Sequence, residues 1–316
     1  MRSGLPKVLH PIGGTPLLRH VINTAGQLNP DRIHVVYGHG GDRVREVLAD
    51  ADVVWTEQAE QLGTGHAVDQ VMPDISDDSA VLVLYGDVPL IRPETLHPMV
   101  EQARNGTLSV LTAVLDNPFG YGRMLRDDND RLTRIVEHKD ASEEQLQINE
   151  INTGFLAAPA GLLRGWLSKL DNSNVQGEYY LTDIIAMAVN DAIEVESASA
   201  ADEFEILGVN DRVQLAGLER AYQGRQAEQL MRNGVTLADP GRIDIRGELI
   251  TGNDCTIDIN AVFEGKVKLG DGVCIGPNCV ISNARIGDGT RVFANCVIED
   301  ASIGGSSRIG PFARIR

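Results

Sequence analysis

No stretch of the 316 residues approaches the roughly 20 apolar residues that a membrane-spanning helix needs. The opening MRSGLPKVLH also lacks the apolar core of a secretory signal. A membrane role is not expected, and the expected address is the cytosol. Positive charge is scarce: 28 Lys and Arg stand against 45 Asp and Glu, a net charge of −17 at pH 7. That field repels a phosphate backbone at long range and no local basic patch offsets it, so nucleic acid is not an expected partner. A nucleotide-sized ligand stays possible, because one or two placed cations suffice for it. Cysteine is scarce too. Cys255, Cys274, Cys279 and Cys296 all fall in the last quarter, form no CxxC pair and have no His at ligand spacing, so they read as reduced buried thiols rather than a zinc site. No Ser-His-Asp or Cys-His pattern stands out and G-x-x-x-x-G-K-[ST] is missing, which weighs against hydrolase and P-loop readings.

What is present, 42% apolar residues in a long chain, is a globular composition with enough material for two domains. Two textures meet near residue 235. Up to about residue 210, apolar runs at Arg32–Tyr37, Val81–Tyr85, Leu108–Leu115 and Ile151–Ala158 alternate with helical spacing at Pro16–Gln27, Arg43–Leu48, Gly65–Val71 and Pro93–Arg104. The runs read as strands buried on both faces, and the alternation implies a mostly parallel sheet with helices on both sides. Ligands then belong at the carboxyl ends of the strands. From Asn210 to Arg232, Leu215, Leu218 and Tyr222 share a stripe, with Asn210 or Asp211 able to cap and Gly234 to stop a connecting helix. Beyond it aliphatics recur every six residues, at Ile257, Phe263, Leu269, Ile275 and Ile281, then in shifted frames at Ile286, Val292 and Ile298 and at Ile303, Ile309 and Ile315. A six-residue period fits neither helix nor hairpin. It fits a prism-shaped parallel β-helix, whose flat apolar faces can also serve as an oligomerisation stem.

Asp87 follows directly on the run VLVLY, where a buried strand ends and a ligand cleft begins. A carboxylate there suits a hard divalent cation; capping the following turn is its ordinary alternative. Gln61 to Ala67, QLGTGHA, is a glycine-bearing loop opening a helix, which brings N–H groups toward an anion or a base edge. Gln58 upstream offers the donor and acceptor that a uracil or thymine edge pairs with. The strings GYGR (120–123), VEHK (136–139), EINTG (150–154) and GEYYLTD (177–183) supply the amides, hydroxyls and carboxylates that a sugar ring requires. Lys7 is a cation held by a proline turn.

In this order, the strings LPKVLH, YGHGGD, EQLGTGHA, LYGDVPLI, GYGR, IVEHKDA, EINTG, QGEYYLTDII and the hexapeptide coil resemble one family over essentially the whole chain. It is the bacterial bifunctional N-acetylglucosamine-1-phosphate uridylyltransferase and glucosamine-1-phosphate acetyltransferase family, whose product feeds peptidoglycan and lipopolysaccharide synthesis. The resemblance implies an α/β Rossmann-like nucleotidyltransferase domain with a mixed sheet over residues 1–210, a connecting helix at 211–234, and a left-handed parallel β-helix at 235–316. It implies a homotrimer, Mg2+ as cofactor, and UTP and N-acetylglucosamine 1-phosphate as substrates. Asp87 and Asn210 would hold the metal; Lys7 would face the triphosphate, and with Asp87 it forms the expected catalytic pair. Gln58, Gly63 and Thr64 would bind uracil, with Tyr85 lining the nucleotide cleft. Gly122, Glu137, Asn152, Tyr180 and Thr182 would bind the amino-sugar phosphate.

Two departures qualify the resemblance. The family's signature L-A-A-G-x-G-T-R-M contains an internal Met, and MRSGLPK aligns Met1 with its last residue, so the first strand, its glycine turn and its phosphate-binding Arg are expected to be missing, with low activity as the consequence. The coil stops at Arg316, before the family's acetyl-CoA site, so no acetyltransferase residue is assigned and no acetylation of glucosamine 1-phosphate is expected. The alternatives are a sugar nucleotidyltransferase using dTTP or ATP, and a catalytically silent trimeric scaffold.

Overall fold

The structure is a computed structural model that describes residues 1–38 and 40–316. His39, inside the string YGHGGD, lies outside the described residues. The chain forms two compact units: one comprises 4–9 and 18–208, the other 1–3, 10–17 and 209–316.

In the first unit, the strands are β1 (His34–Tyr37), β2 (Val54–Glu57), β3 (Ala80–Val83), β4 (Leu108–Val114), β5 (Arg123–Arg126), β6 (Leu132–Val136), β7 (Glu150–Pro159) and β8 (Val195–Ser199). The helices are α1 (Leu17–Gly26), α2 (Asp42–Val47), α3 (Thr64–Asp69), α4 (Pro93–Arg104), α5 (Ala160–Leu167) and α6 (Ile184–Asn190). Every run and helical stretch marked above is found, within a few residues at its ends. The sheet is mixed, as the resemblance implies, and not mostly parallel as the alternation alone suggests: β8 pairs with β4 in parallel, while β4, β3 and β5 all pair with β7 antiparallel. Alternation could not reveal this, because β4 to β7 follow one another with no α-helix among the described residues between them to force a parallel crossover. β1 and β2 form a separate parallel pair.

The long strand β7 organises the unit. Along one edge it pairs with β4 throughout, across an irregularity between Val110 and Thr112. Along the other edge Ile151 pairs with Arg123 of β5, while Leu156 to Pro159 pair with β3. Two cores cover its faces. Leu96, Met99 and Ala103 of α4 pack with Leu111, Ile151, Phe155 and Ala157, and Leu163, Trp166, Ile184 and Ile185 of α5 and α6 pack with Leu108, Val110, Leu156 and Ala158. The run Val81–Tyr85 is half-buried rather than buried on both faces. The reason is that β3 has one sheet neighbour among the described residues, β7, instead of two.

In the second unit, α7 (Arg212–Arg232) is capped by Asp211, whose Oδ1 accepts from the backbone N–H groups of Val213 and Gln214 at 2.8 Å. Gly234 takes φ +92° just past its end, the conformation that stops a helix at glycine. Its buried stripe runs through Leu218, Gln223, Ala227 and Leu230, with Leu215 and Tyr222 half-buried. The residues after it form a parallel β-helix with β9 (Ile243–Thr251) and β10 (Ala261–Leu269) as its long first rungs. The frame shift in the hexads has a direct cause. Ile257 lies over Ile275 and Phe263 over Ile281, coils of 18 residues, whereas Leu269 lies over Ile286 and Ile275 over Val292, coils of 17. One corner is shortened by a residue, and the aliphatics still stack in register inside. All the hexad aliphatics through Ile298 are buried, and the four cysteines are free as expected, three of them buried and Cys274 half-buried. Among the described residues no helix is long and apolar enough to cross a membrane.

Candidate active site

The site lies where β3 ends, beside the point on β7 at which its pairing passes from β5 to β3. Gly154 sits at that point with φ +90°, and a Cβ there would come within 2.4 Å of the Tyr85 ring. The absent side chain is therefore replaced by the aromatic ring, which also meets Phe155 edge to face at 6.2 Å. Burial pushes the Tyr85 phenol up to about 12, helped by the charges of Glu137 and Asp87 and opposed by a hydrogen bond with Thr64. At neutral pH it is a neutral donor.

A closed circuit of contacts leads away from Tyr85 and back. Thr64 bonds to Tyr85, and its Oγ1 accepts from the Leu181 N–H at 3.2 Å. The neighbouring Thr182 hydroxyl donates to Glu137 Oε1 at 3.0 Å. A Cβ on Gly122 would lie 3.5 Å from Glu137 Oε2, and the Gly122 carbonyl accepts from the Asn152 N–H at 2.9 Å. The Asn152 side-chain oxygen accepts from the Gly154 N–H at 3.1 Å, against which the Tyr85 ring rests. Six separate chain segments are thus joined around Tyr85.

The loop before α3 is fastened to the same wall. Gly65 N–H donates to the Tyr179 carbonyl and Tyr179 N–H to the Leu62 carbonyl, both at 2.8 Å. Gly63 takes φ +111° and a Cβ would come within 2.7 Å of the Tyr179 carbonyl, so only glycine fits. Gln58 is a buried residue, not a surface one: its Nε2 donates to the Gly63 carbonyl at 3.1 Å and meets His66 Nδ1 at 3.0 Å. Both amide donors are engaged inside the loop, which leaves its carbonyl oxygen as the group to offer a ligand. Tyr180 is buried, accepts from Gln176 Nε2 at 2.9 Å and donates to Asp140 Oδ2 at 3.4 Å.

Beyond Tyr85, Asp87 forms an ion pair with Lys7, which lies on a single turn closed by the bond from Leu9 N–H to the Pro6 carbonyl at 3.0 Å. Gly208 passes against Asp87; a Cβ there would lie 3.8 Å from its Oδ2. Asn210 belongs to the second unit, where its N–H donates to Gln214 Oε1 at 2.7 Å and its carbonyl accepts from the Met1 amino group at 3.1 Å. The structure therefore gathers Lys7, Gln58, Gly63, Thr64, Tyr85, Asp87, Gly122, Glu137, Asn152, Tyr180 and Thr182 within one unit.

Sequence reasoning missed three members. The pKa of the Tyr121 phenol is raised by burial and then by the Asp87 charge. Asp140 and Asp183 join Glu137 in an acidic group: burial raises the Asp183 carboxyl, with Asp171, Glu137 and Asp140 adding to it. All three lay inside strings already marked, GYGR, IVEHKDA and GEYYLTD, and what singles them out is side-chain direction. Acceptor oxygens of this kind suit sugar hydroxyls and repel phosphates. A polyphosphate therefore needs cations, of which Lys7 is one. Among the described residues no three His, Cys, Asp or Glu side chains form a metal cage. A partly exposed carboxylate at the strand end fits Mg2+, which takes one or two protein oxygens and fills its shell with water and substrate phosphates.

Comparison with known proteins decides the family. Residues 1–148 match the MobA-like NTP transferase domain and residues 249–283 the bacterial transferase hexapeptide repeat. All 316 residues align at 57% identity with the bifunctional protein GlmU of Marinobacter nauticus, covering 70% of that protein. The chain belongs to the GlmU family. GlmU proteins of Alkalilimnicola ehrlichii, at 55% identity and 68% coverage, and of Chromobacterium violaceum, at 57% and 69%, align over the whole chain as well. A solved UDP-glucose pyrophosphorylase complexed with UDP-glucose shares the fold, with a TM-score of 0.56 at 15% identity over 70% of this chain and 91% of that one. This GlmU-family chain thus has a nucleotidyltransferase domain of Rossmann-like architecture followed by a hexapeptide β-helix.

Proposed function

We propose that this chain transfers the uridylyl group of UTP to N-acetylglucosamine 1-phosphate. A phosphate oxygen of the sugar phosphate attacks the α-phosphorus, the bond from that phosphorus to the bridging oxygen breaks, and pyrophosphate leaves with UDP-N-acetylglucosamine as the second product. The closed circuit from Tyr85 through Thr64, Thr182, Glu137, Gly122 and Asn152 to Gly154 carries the reading: it fixes a set of donors and acceptors around Tyr85 and contains no Ser, Cys, Lys or His to act as a nucleophile or its activating base. Transfer between two bound phosphates needs none, since positioning and charge neutralisation supply the catalysis.

In this reading Gln58, Gly63 and Thr64 hold the base, with the Gln58 carbonyl accepting a uracil N–H and Tyr85 lining the nucleotide. Gly122, Glu137, Asn152, Tyr180 and Thr182 hold the sugar. Lys7 turns from Asp87 toward the phosphates. Asp87 would hold Mg2+, and the resemblance adds Asn210 as a second donor, a part of the proposal that rests on the sequence. When bound, the metal neutralises phosphate charge. The proposal extends to a homotrimer built on the β-helix and to residence in the cytosol.

The test is pyrophosphate release by the purified chain with Mg2+, N-acetylglucosamine 1-phosphate and, in turn, UTP, dTTP and ATP. Turnover with UTP above the other two supports the reading, and a preference for dTTP or ATP replaces the base. No turnover together with no heat of Mg2+-dependent UTP binding leaves the silent scaffold. Light scattering at three times the chain mass of 34.2 kDa supports the trimer.

A further inference from the structure

Among the described residues Arg123 is the only Lys or Arg that is fully buried, at 2% exposure. Its Nη1 donates to the Tyr121 carbonyl, its Nε is buried without a partner, and no carboxylate stands within ion-pair distance. Burial depresses its basicity. For folding alone this is a poor arrangement, since a buried cation with no counter-charge destabilises and an apolar side chain of the same size is often neutral or better.

Its location gives it a use. Arg123 opens β5, paired with Val136 and Ile151, and closes the tripeptide Tyr121-Gly122-Arg123. Gly122 lies against Glu137, and its carbonyl accepts from the Asn152 N–H at 2.9 Å. The guanidinium therefore grips the carbonyl that joins Tyr121 to Gly122, the residue lying between Glu137 and Asn152.

We propose that Arg123 is a positioning residue for the sugar phosphate: by holding the Tyr121 carbonyl it fixes the Tyr121–Gly122 segment against Glu137 and Asn152. This deepens the reading above and rests on it. A planar guanidinium holds one orientation where a lysine ammonium pivots, so arginine and lysine are not equivalent there.

The experiment compares wild type, Arg123→Met and Arg123→Lys in the full chain, measuring the melting temperature and the KM for each substrate. Arg123→Met is expected to melt at or above wild type while its KM for N-acetylglucosamine 1-phosphate rises about 10- to 100-fold, the loss of one charge-assisted hydrogen bond, with the KM for UTP within about twofold. Arg123→Lys keeps one donor and is expected between the two. A wild-type sugar-phosphate KM in both variants overturns the proposal, as does a parallel rise in both KM values with a lowered melting temperature. Should the Met variant fail to fold, the Lys variant decides by the same criterion. An inactive wild type removes the uridylyltransferase reading and this inference together, whereas an active wild type with unaltered variants removes the inference alone.

Discussion

The hydroxyl of Thr182 donates to Glu137 Oε1 at 3.0 Å across 45 residues of sequence, and this bond holds a carboxylate that burial is trying to neutralise. Burial is the largest influence on Glu137 and raises its pKa above the ordinary 4.5; the Thr182 bond opposes this and Asp140 adds to it. A carboxyl whose folded-state pKa is raised supports the fold most below its unfolded pKa and loses that contribution as pH climbs through the folded value. Glu137→Gln keeps an oxygen for Thr182 and removes the charge. Its melting temperature should exceed that of wild type near pH 8, and the two should converge as pH falls toward 4.5. Melting curves taken across this range check the claim, and a gap that widens on acidification would contradict it. The same variant should bind the sugar phosphate less well, because an amide oxygen is a weaker acceptor for hydroxyls than a carboxylate.

Gly154→Ala tests the seam on β7. The new Cβ meets the Tyr85 ring at 2.4 Å in a backbone at φ +90° that an L side chain rarely adopts. Both effects act against the fold, and a loss of about 1–3 kcal/mol is expected from the backbone conformation alone. Tyr85 has to move to admit the methyl group, which also breaks its bond with Thr64. Denaturant unfolding together with the KM for UTP reads both consequences; a variant with wild-type stability would show that the seam is not close-packed.

Gln58 makes a different kind of prediction, because His66 stands between two amides. Gln58 Nε2 meets His66 Nδ1 at 3.0 Å and Gln70 Nε2 meets His66 Nε2 at 3.1 Å. A neutral ring carries one N–H, so one of the amides must present its oxygen. Turning Gln58 would set its amide oxygen against the Gly63 carbonyl oxygen, which already accepts from the Ala67 N–H, so Gln70 is the one that turns, and His66 donates to it from Nε2. Gln58→Glu removes both donors at once. The KM for UTP should rise about tenfold with the sugar-phosphate KM unchanged. Discrimination between UTP and dTTP should stay as it was, since both bases present the same N–H. Steady-state kinetics with each nucleotide settles it.

The parts legible in the sequence are those set by local periodicity or by a short string. α4 begins at Pro93 and ends at Arg104 as its spacing predicts, and the hexads mark the β-helix with the frame shift that the change from 18- to 17-residue coils produces. Direction of pairing was not legible, because β7 joins three strands whose paired residues lie 28 to 79 residues upstream and nothing local records which edge each takes. Gln223 shows the same limit within a helix. A polar residue on the buried stripe contradicts the pattern, and the reason is tertiary: its amide both donates to and accepts from the backbone of Ile245 at 2.8 Å, as a neighbouring strand would. Arg123 reads as one more charged residue in GYGR, and only its burial without a counter-charge sets it apart.

The β-helix carries the last prediction. Asn260, Asn278 and Asn295 stack on successive coils at one corner with φ near +60°, joined side chain to side chain at 2.8 and 3.3 Å. Asparagine tolerates the left-handed conformation better than other residues with a Cβ, which is one reason for its place there, and the amide ladder is the other. The next coil puts Phe312 in the corresponding position, 17 residues on from Asn295, at φ +60° and 77% exposed. A bulky residue in that conformation is strained and contributes no ladder bond. Phe312→Asn should therefore stabilise the second unit by about 1 kcal/mol, combining relief of strain with one exposed hydrogen bond. Asn278→Ala should destabilise it by about 1–2 kcal/mol, and Asn278→Gly by less, because glycine loses the two bonds but adopts the conformation freely. Unfolding free energies for the three variants separate the contributions: equal losses for alanine and glycine would assign the corner to the ladder alone, and a destabilised Phe312→Asn would show that the aromatic ring is packing where its exposure says it is not.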